Sequence, residues 1–205
     1  MKKKMLDVVF VIDKSGSMSG SEDNTISSFN EYLEREKNNN FNTYISTILF
    51  SHNYSYLHNR NKIKDVSKLS RNDYVVGGCT ALYDALGNAI INMDNKNTDK
   101  VLFIIITDGY ENASREFNNS KIKSMIKDHS DWEFIYIGAD IDSYAAGGSI
   151  GIRRDNIANY SKDKTGTHKM FKSIGNFAEA MMNDESTACW KDELEDYIIN
   201  NKNDD

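Results

Sequence analysis

Short, nearly continuous runs of apolar residues alternate along this chain with longer segments in which apolar positions recur every three or four residues. Short apolar runs bounded by polar residues are typical of strands that are buried on both faces of a sheet. The longer spacing is typical of helices that bury one face. The alternation therefore predicts an α/β fold that is built from βαβ units.

Six segments have the character of strands, and residues 101–106 are the clearest because they contain no polar side chain. Residues 51–53 form a short turn, so the segment after them is expected to be a hairpin partner and a sheet edge. The predicted strands are residues 6–12, 44–50, 54–58, 101–106, 133–137 and 157–160.

Helical spacing occurs between the strands and again near the end of the chain. We expect Ser21 to cap the first helix and Asn112 with Ser114 to cap a helix over residues 115–128. The predicted inner faces are Ile26, Phe29 and Leu33; Leu82, Leu86, Ala89, Ile90 and Met93; Ile122, Met125 and Ile126; Met170, Ile174, Phe177 and Met181; and Trp190, Leu194, Tyr197 and Ile198.

The 205 residues are 39% hydrophobic and 27% charged, which is sufficient for one core of their own. We assign residues 1–183 to one domain and residues 184–205 to a C-terminal amphipathic helix with an acidic tail. We expect that helix to pack back on the domain, with partner binding as the alternative, and residues 200–205 to be disordered. The net charge of −6 argues against nucleic acid as the main partner.

Oxygen-bearing side chains follow the first and fourth predicted strands. Asp13, Ser15 and Ser17 alternate along the loop after the first strand, so their side chains can converge. Thr80 follows a glycine pair at a helix start, and Asp108 follows residues 101–106. Ligands of open α/β sheets bind at the carboxyl ends of the strands, and hard divalent cations prefer oxygen ligands. The sequence therefore predicts a cation site at this edge.

The pattern has three parts, in the order Asp13-x-Ser15-x-Ser17, Thr80 and Thr107-Asp108-Gly109. It resembles the metal-ion-dependent adhesion site (MIDAS) of the von Willebrand factor type A (vWA) domains, and the resemblance covers roughly residues 5–182. It implies a doubly wound, mostly parallel six-stranded sheet with one antiparallel edge strand, with helices on both faces and the metal at the top of the sheet.

The resemblance also implies roles for the five metal-linked residues. Ser15 and Ser17 would coordinate the ion directly, and Asp13, Thr80 and Asp108 directly or through water. Because only two of the five are anionic, a divalent cation would still attract an outside oxygen. We therefore expect Mg²⁺, with Mn²⁺ or Ca²⁺ as alternatives, and a protein partner that offers an acidic side chain. Intracellular relatives suggest a non-enzymatic adaptor for an AAA+ ATPase or a larger assembly.

Two other functions stay open from the sequence. Phosphohydrolases of the haloacid dehalogenase type also carry an Asp after the first strand, but they need a second acidic residue where this chain has Ser15, and no lysine in a matching later motif is evident. The histidines, at positions 52, 58, 129 and 168, have no spacing typical of a triad or a zinc site. The third alternative is a structural vWA module that binds no ligand.

Several residues near the predicted site have simpler explanations. Glu111 is a weak candidate for tuning the site, and Asp140 and Asp142 either cap a helix near Ser143 or hold a second cation. Cys79 is expected to pack as a small apolar residue. The two cysteines in the sequence are too few for a disulfide framework.

The N-terminal lysines before an apolar run resemble the start of a secretory signal. The run is short, contains Asp7 and leads directly into the predicted metal motif, so we interpret it as the first strand. We expect no membrane segment and a cytoplasmic location. The abundance of Asn and Lys and the absence of Pro are typical of an AT-rich bacterial or phage genome.

Overall fold

A single six-stranded sheet forms the centre of the computed structural model, which describes residues 4–201. The strands are β1 (Met5–Asp13), β2 (Asn42–Phe50), β3 (Tyr54–Lys62), β4 (Lys100–Thr107), β5 (Glu133–Gly138) and β6 (Ile157–Asn159). Their order in the sheet is β3-β2-β1-β4-β5-β6. All neighbouring pairs are parallel except β2 and β3, so the predicted fold class is confirmed.

Helices cover both faces of the sheet. The helices are α1 (Glu22–Lys37), α2 (Leu82–Met93), α3 (Asn119–Asp128), α4 (Ser143–Ser149), α5 (Lys164–Asn183) and α6 (Asp192–Asn201). Buried side chains of α1, α5 and α6 join one apolar core, and those of α2 and α3 join the other, with α4 packed against it. No helix within the described range, residues 4–201, has the length and apolarity needed to cross a membrane.

Alternation along β1 shows why the sequence contains continuous apolar runs. Val8, Phe10 and Ile12 belong to the core on one face, whereas Val9 and Val11 belong to the core on the other. Side chains of a strand point to opposite faces in turn, and here both faces are covered by helices. Residues on both faces of β1 are therefore apolar, except where a side chain makes a specific polar contact.

The order of the strands reverses beside β1, which positions the candidate site. β1 pairs with β2 on one side and with β4 on the other, so the connections after β1 and β4 leave the sheet in opposite directions. Ile12 of β1 is in register with Ile106 of β4. Asp13 and Asp108 therefore emerge next to each other at the switch point, where open α/β sheets bind ligands.

The edge strand β3 is longer than predicted. The predicted hairpin is confirmed, but β3 continues from His58 to Lys62. Its register with β2 shifts near Thr47, and Arg60 adopts a left-handed backbone with φ of 54°. This irregularity hid the second half of the strand, because the alternation of apolar and polar positions is lost there.

One predicted helix cap and one predicted helix start are wrong. Ser21 lies at the N-cap position of α1, as predicted, but its hydroxyl donates to the carbonyl of Met18 (2.7 Å) and makes no capping hydrogen bond to the helix. The helix predicted over residues 115–128 begins at Asn119 and is capped by Asn118, whose side chain accepts from the amide of Lys121. The amides of residues 115–117 instead donate to the carboxylate of Asp84, so this segment is tied to α2.

The C-terminal helix packs back on the domain. Leu194 is fully buried, and Trp190, which is 6% exposed, lies edge-to-face with Phe177. The helix extends through Asn201, so the predicted disorder is wrong for residues 200 and 201, and residues 202–205 lie outside the described residues. The division of the chain at residue 183 stays a prediction.

Candidate metal centre

Three loops at the carboxyl edge of the sheet carry the five predicted ligands. Asp13 ends β1 and is followed by Ser15 and Ser17, Thr80 lies just before α2, and Asp108 follows β4. Ser17 is exposed, whereas the other four residues are 0–5% exposed. Buried carboxylates and hydroxyls need polar partners, and the loops bring these groups to one another.

Direct contacts join three of the five side chains. The hydroxyls of Ser15 and Ser17 are 3.1 Å apart, and the Ser17 hydroxyl donates to Oδ1 of Asp108 at 2.5 Å. A methyl group placed on Gly109 would lie 3.0 Å from Oγ1 of Thr80 and 3.3 Å from Oγ of Ser17. The hydroxyls of Thr80 and Ser17 therefore face the same small space above Gly109.

Asp13 is held at the base of this cluster. The amide of Ser15 donates to its Oδ1, and the hydroxyl of Thr107 donates to its Oδ2, both at 2.6 Å. Burial raises the pKa of Asp13 and the nearby Asp108 carboxylate adds to the rise, while the two hydrogen bonds oppose it. Thr107 was part of the motif but had no predicted role; the structure shows that it orients Asp13.

Backbone hydrogen bonds hold the Thr80 loop against the loop after β1. The amide of Gly16 donates to the carbonyl of Gly78 (3.0 Å), and the amide of Gly77 donates to the carbonyl of Lys14 (2.8 Å). Gly78 has a φ of +84°, and a Cβ there would lie 2.6 Å from Nδ1 of His52. A glycine is therefore required at this crossing.

Residues after Asp108 complete the support of Thr80. The side chain of Asn112 accepts from the amide of Thr80 (2.9 Å), so its predicted role as the cap of a following helix is wrong. Glu111 accepts from the amides of Tyr83 and Ser114, which ties the start of α2 to the loop after β4. Both residues position the site and do not enter it.

Lys162 also contacts this cluster, although it was not among the predicted site residues. Its ammonium lies 2.9 Å from Oδ2 of Asp108 and 2.7 Å from Oδ2 of Asp140, and it donates to the carbonyl of Ser17 at 3.3 Å. Burial lowers the pKa of Lys162, but the two carboxylates outweigh this and raise it, so the group is charged at neutral pH. No local pattern in the polar segment around Lys162 marks it as part of the site.

The neighbouring acidic residues divide between two roles. Asp142 caps α4 by accepting from the amide of Ala145 (2.9 Å), as predicted. Asp140 pairs with Lys162 and does not cap a helix.

Cys79 is exposed, so the prediction that it packs as a small apolar residue is wrong.

The donor chemistry fits a hard divalent cation. All five predicted ligands offer oxygen, and the hydroxyls are uncharged. The carboxylates of Asp108 and Asp140 face one ammonium, that of Lys162, and the buried Asp13 adds a third carboxyl group near Asp108. Among residues 4–201 no group of three or more His, Cys, Asp or Glu side chains is arranged to hold a metal, so any ion here depends on the hydroxyls.

Replacing Gly109 with alanine is expected to weaken the predicted Mg²⁺ binding about tenfold without removing any of the five predicted ligands. The new methyl group would push against Oγ1 of Thr80 and Oγ of Ser17, which must then move apart by a few tenths of an ångström. Ligand positions matter because Mg²⁺ demands near-ideal octahedral geometry. Calorimetric titration measures the change, and Gly148→Ala, where a methyl group meets nothing within 4 Å, is the control.

Comparison with known proteins identifies one protein family. The model of the von Willebrand factor type A domain family matches residues 7–173. No curated protein sequence matches the chain. Proximal thread matrix protein 1 (PTMP1) from the mussel byssus superposes with a TM-score of 0.64 at 16% identity, over 84% of this chain and 45% of that chain.

Two further solved structures have the same fold. The vWF domain of the type V pili tip protein Mfa5 from Porphyromonas gingivalis has a TM-score of 0.64 at 13% identity, over 86% of this chain and 97% of that domain. The mussel protein with a zinc-occupied MIDAS motif has a TM-score of 0.59 at 14% identity, over 86% of this chain and 46% of that chain. This chain thus spans less than half of the mussel protein.

Proposed function

The chain belongs to the von Willebrand factor type A domain family, and on this premise we propose that it is a protein-binding module that holds a divalent cation at the loops after β1 and β4. Domains of this family commonly mediate protein–protein interaction and are generally not enzymes. The observation that carries the proposal is the meeting of Ser15, Ser17 and Asp108, with Thr80 facing the same space.

Each ligand has a defined part in the proposal. Asp13 and Asp108 supply the negative charge, and Ser15, Ser17 and Thr80 supply neutral oxygens. Mg²⁺ is the proposed ion, with Mn²⁺ or Ca²⁺ as alternatives. The zinc ion named for the mussel protein supports a divalent cation at the equivalent motif.

The proposed partner offers a Glu or Asp side chain. A cation bound by two carboxylates and three hydroxyls supplies a position at which an outside carboxylate can bind. Val75 and Tyr110 support a protein partner, because both are large, more than half exposed, and located on the loops that carry Thr80 and Asp108. Aromatic residues are enriched in protein interfaces, and the buried core of an interface is more apolar than the rest of the protein surface.

Calorimetric titration of metal-stripped protein with Mg²⁺ tests the ion. We expect saturable binding by the wild type, loss of at least about tenfold in affinity for Asp13→Ala, and a similar loss for Thr80→Ala, because each variant removes one oxygen ligand. Asp131→Ala is the control, since Asp131 is exposed and lies on a turn before β5. Circular dichroism verifies that each variant is folded.

Two outcomes would contradict the proposal. One is a wild-type protein that binds neither Mg²⁺ nor Mn²⁺. The other is an Asp13→Ala variant that binds the ion as tightly as Asp131→Ala does. If the ion binds but no acidic peptide associates more strongly in Mg²⁺ than in EDTA, the alternative of a site that only holds three loops together is favoured.

The phosphohydrolase alternative still lacks its second carboxylate, because Ser15 stands at that position and contacts Ser17. Lys162 supplies a cation beside Asp108 that the sequence did not reveal. Turnover of a phosphate ester in Mg²⁺ is the measurement that separates this alternative from binding alone. A cytoplasmic location and an association with an AAA+ ATPase are further parts of the proposal.

A further inference from the structure

The ammonium of Lys162 lies on the carboxylate that the proposed cation needs. Oδ1 of Asp108 accepts from Ser17, and Oδ2 accepts from Lys162 at 2.9 Å, so both oxygens are engaged. The same ammonium is 2.7 Å from Oδ2 of Asp140. Asp108 is buried, whereas Asp140 is largely exposed at the rim.

We propose that Lys162 is an internal cation that competes with the divalent ion for Asp108, and that Asp140 holds the ammonium when the ion is bound. This inference rests on the proposed metal site. Two cations at one carboxylate repel each other strongly in a partly buried setting. Moving toward Asp140 relieves that repulsion while the ammonium keeps one carboxylate partner.

The surrounding contacts confine this exchange to the side chain of Lys162. Its carbonyl accepts from the side chain of Asn24 (3.0 Å), which belongs to α1. The next residue, Asp163, caps α5 by accepting from the amide of Gly166 (2.9 Å). Because the backbone is fixed on both sides, the flexible lysine side chain reorients and the loop stays in place.

Removal of the lysine charge is expected to tighten metal binding. Lys162→Met keeps most of the side-chain volume and is expected to raise the affinity for Mg²⁺ about tenfold in calorimetric titration. The variant should also gain more thermal stability from added Mg²⁺ than the wild type does, because a ligand stabilises the folded state according to its affinity. Lys164→Met is the matched control, since Lys164 is exposed two residues away.

A second variant changes the affinity in the opposite direction. Asp140→Asn removes the alternative carboxylate, so the ammonium stays on Asp108 and Mg²⁺ binding is expected to weaken about threefold. Asparagine tolerates the left-handed backbone at this position, where φ is 56°. The double variant Lys162→Met with Asp140→Asn should bind Mg²⁺ as tightly as Lys162→Met, because Asp140 acts through the lysine.

The outcomes separate this inference from the proposed metal site. Tighter binding by Lys162→Met than by the wild type and Lys164→Met supports the competition. Unchanged or weaker binding by Lys162→Met, with normal binding by the wild type, overturns the competition and leaves the metal site standing. Failure of the wild type, Lys162→Met and Lys164→Met to bind any divalent ion overturns both.

Discussion

Replacing Arg60 with methionine is expected to lower the free energy of unfolding by about 3–5 kcal/mol. Arg60 is the partner of Asp7, a carboxylate in β1 that is only 1% exposed. The guanidinium donates to Oδ1 and Oδ2 of Asp7 at 3.0 and 3.1 Å, and to the carbonyl of Asn97 at 2.9 Å. Without it, a buried charge next to the centre of the sheet has no cation.

Equilibrium unfolding in urea measures this change, and Arg71→Met is the matched control. Arg71 pairs with Asp23, but both side chains are about 70% exposed, so its loss is expected to cost less than about 1 kcal/mol. Equal effects of the two substitutions would show that water or another group satisfies Asp7. Asp7→Asn combined with Arg60→Met should recover part of the loss, because the unpaired charge is then absent.

Replacing Trp190 with alanine is expected to cost about 3–5 kcal/mol and to release α6 from the domain. The indole is 6% exposed, its ring lies 5.6 Å from that of Phe177, and its Nε1 donates to the carbonyl of Asp155 at 2.9 Å. Glu193 adds ion pairs with Lys169 and Lys172, but they are partly exposed and contribute less.

Urea unfolding and limited proteolysis together measure this effect. Ile199→Ala is the control, because Ile199 lies within α6 but is 60% exposed, and it should change stability by less than about 0.5 kcal/mol. We expect proteases to cleave Trp190→Ala near α6 much faster than either the wild type or the control. If the two variants behave alike, α6 contributes little to the fold and is free to serve a partner.

The sequence predicted best those strands and helices whose buried positions follow an unbroken run or a regular spacing. Residues 101–106 are apolar throughout because both faces of β4 are covered. The apolar run alone therefore indicates that the strand is buried on both faces. The apolar stripes of α2 and α5 are equally direct, because one face of each helix is buried. The predictions fail at β3 and at the start of α3, where irregular backbone and side-chain contacts from Asp84 decide the boundaries.

Local spacing along the chain was enough to predict the order of the strands and the five candidate oxygen ligands, and the order of those candidates carries the resemblance to the vWA family. Only the tertiary structure brought Lys162 to Asp108 and Arg60 to Asp7, across 54 and 53 positions of the chain. Such pairs leave no periodic signal, since a lone charged residue in a polar segment is ordinarily solvated. Their roles are set by which loops and strands the sheet order makes neighbours.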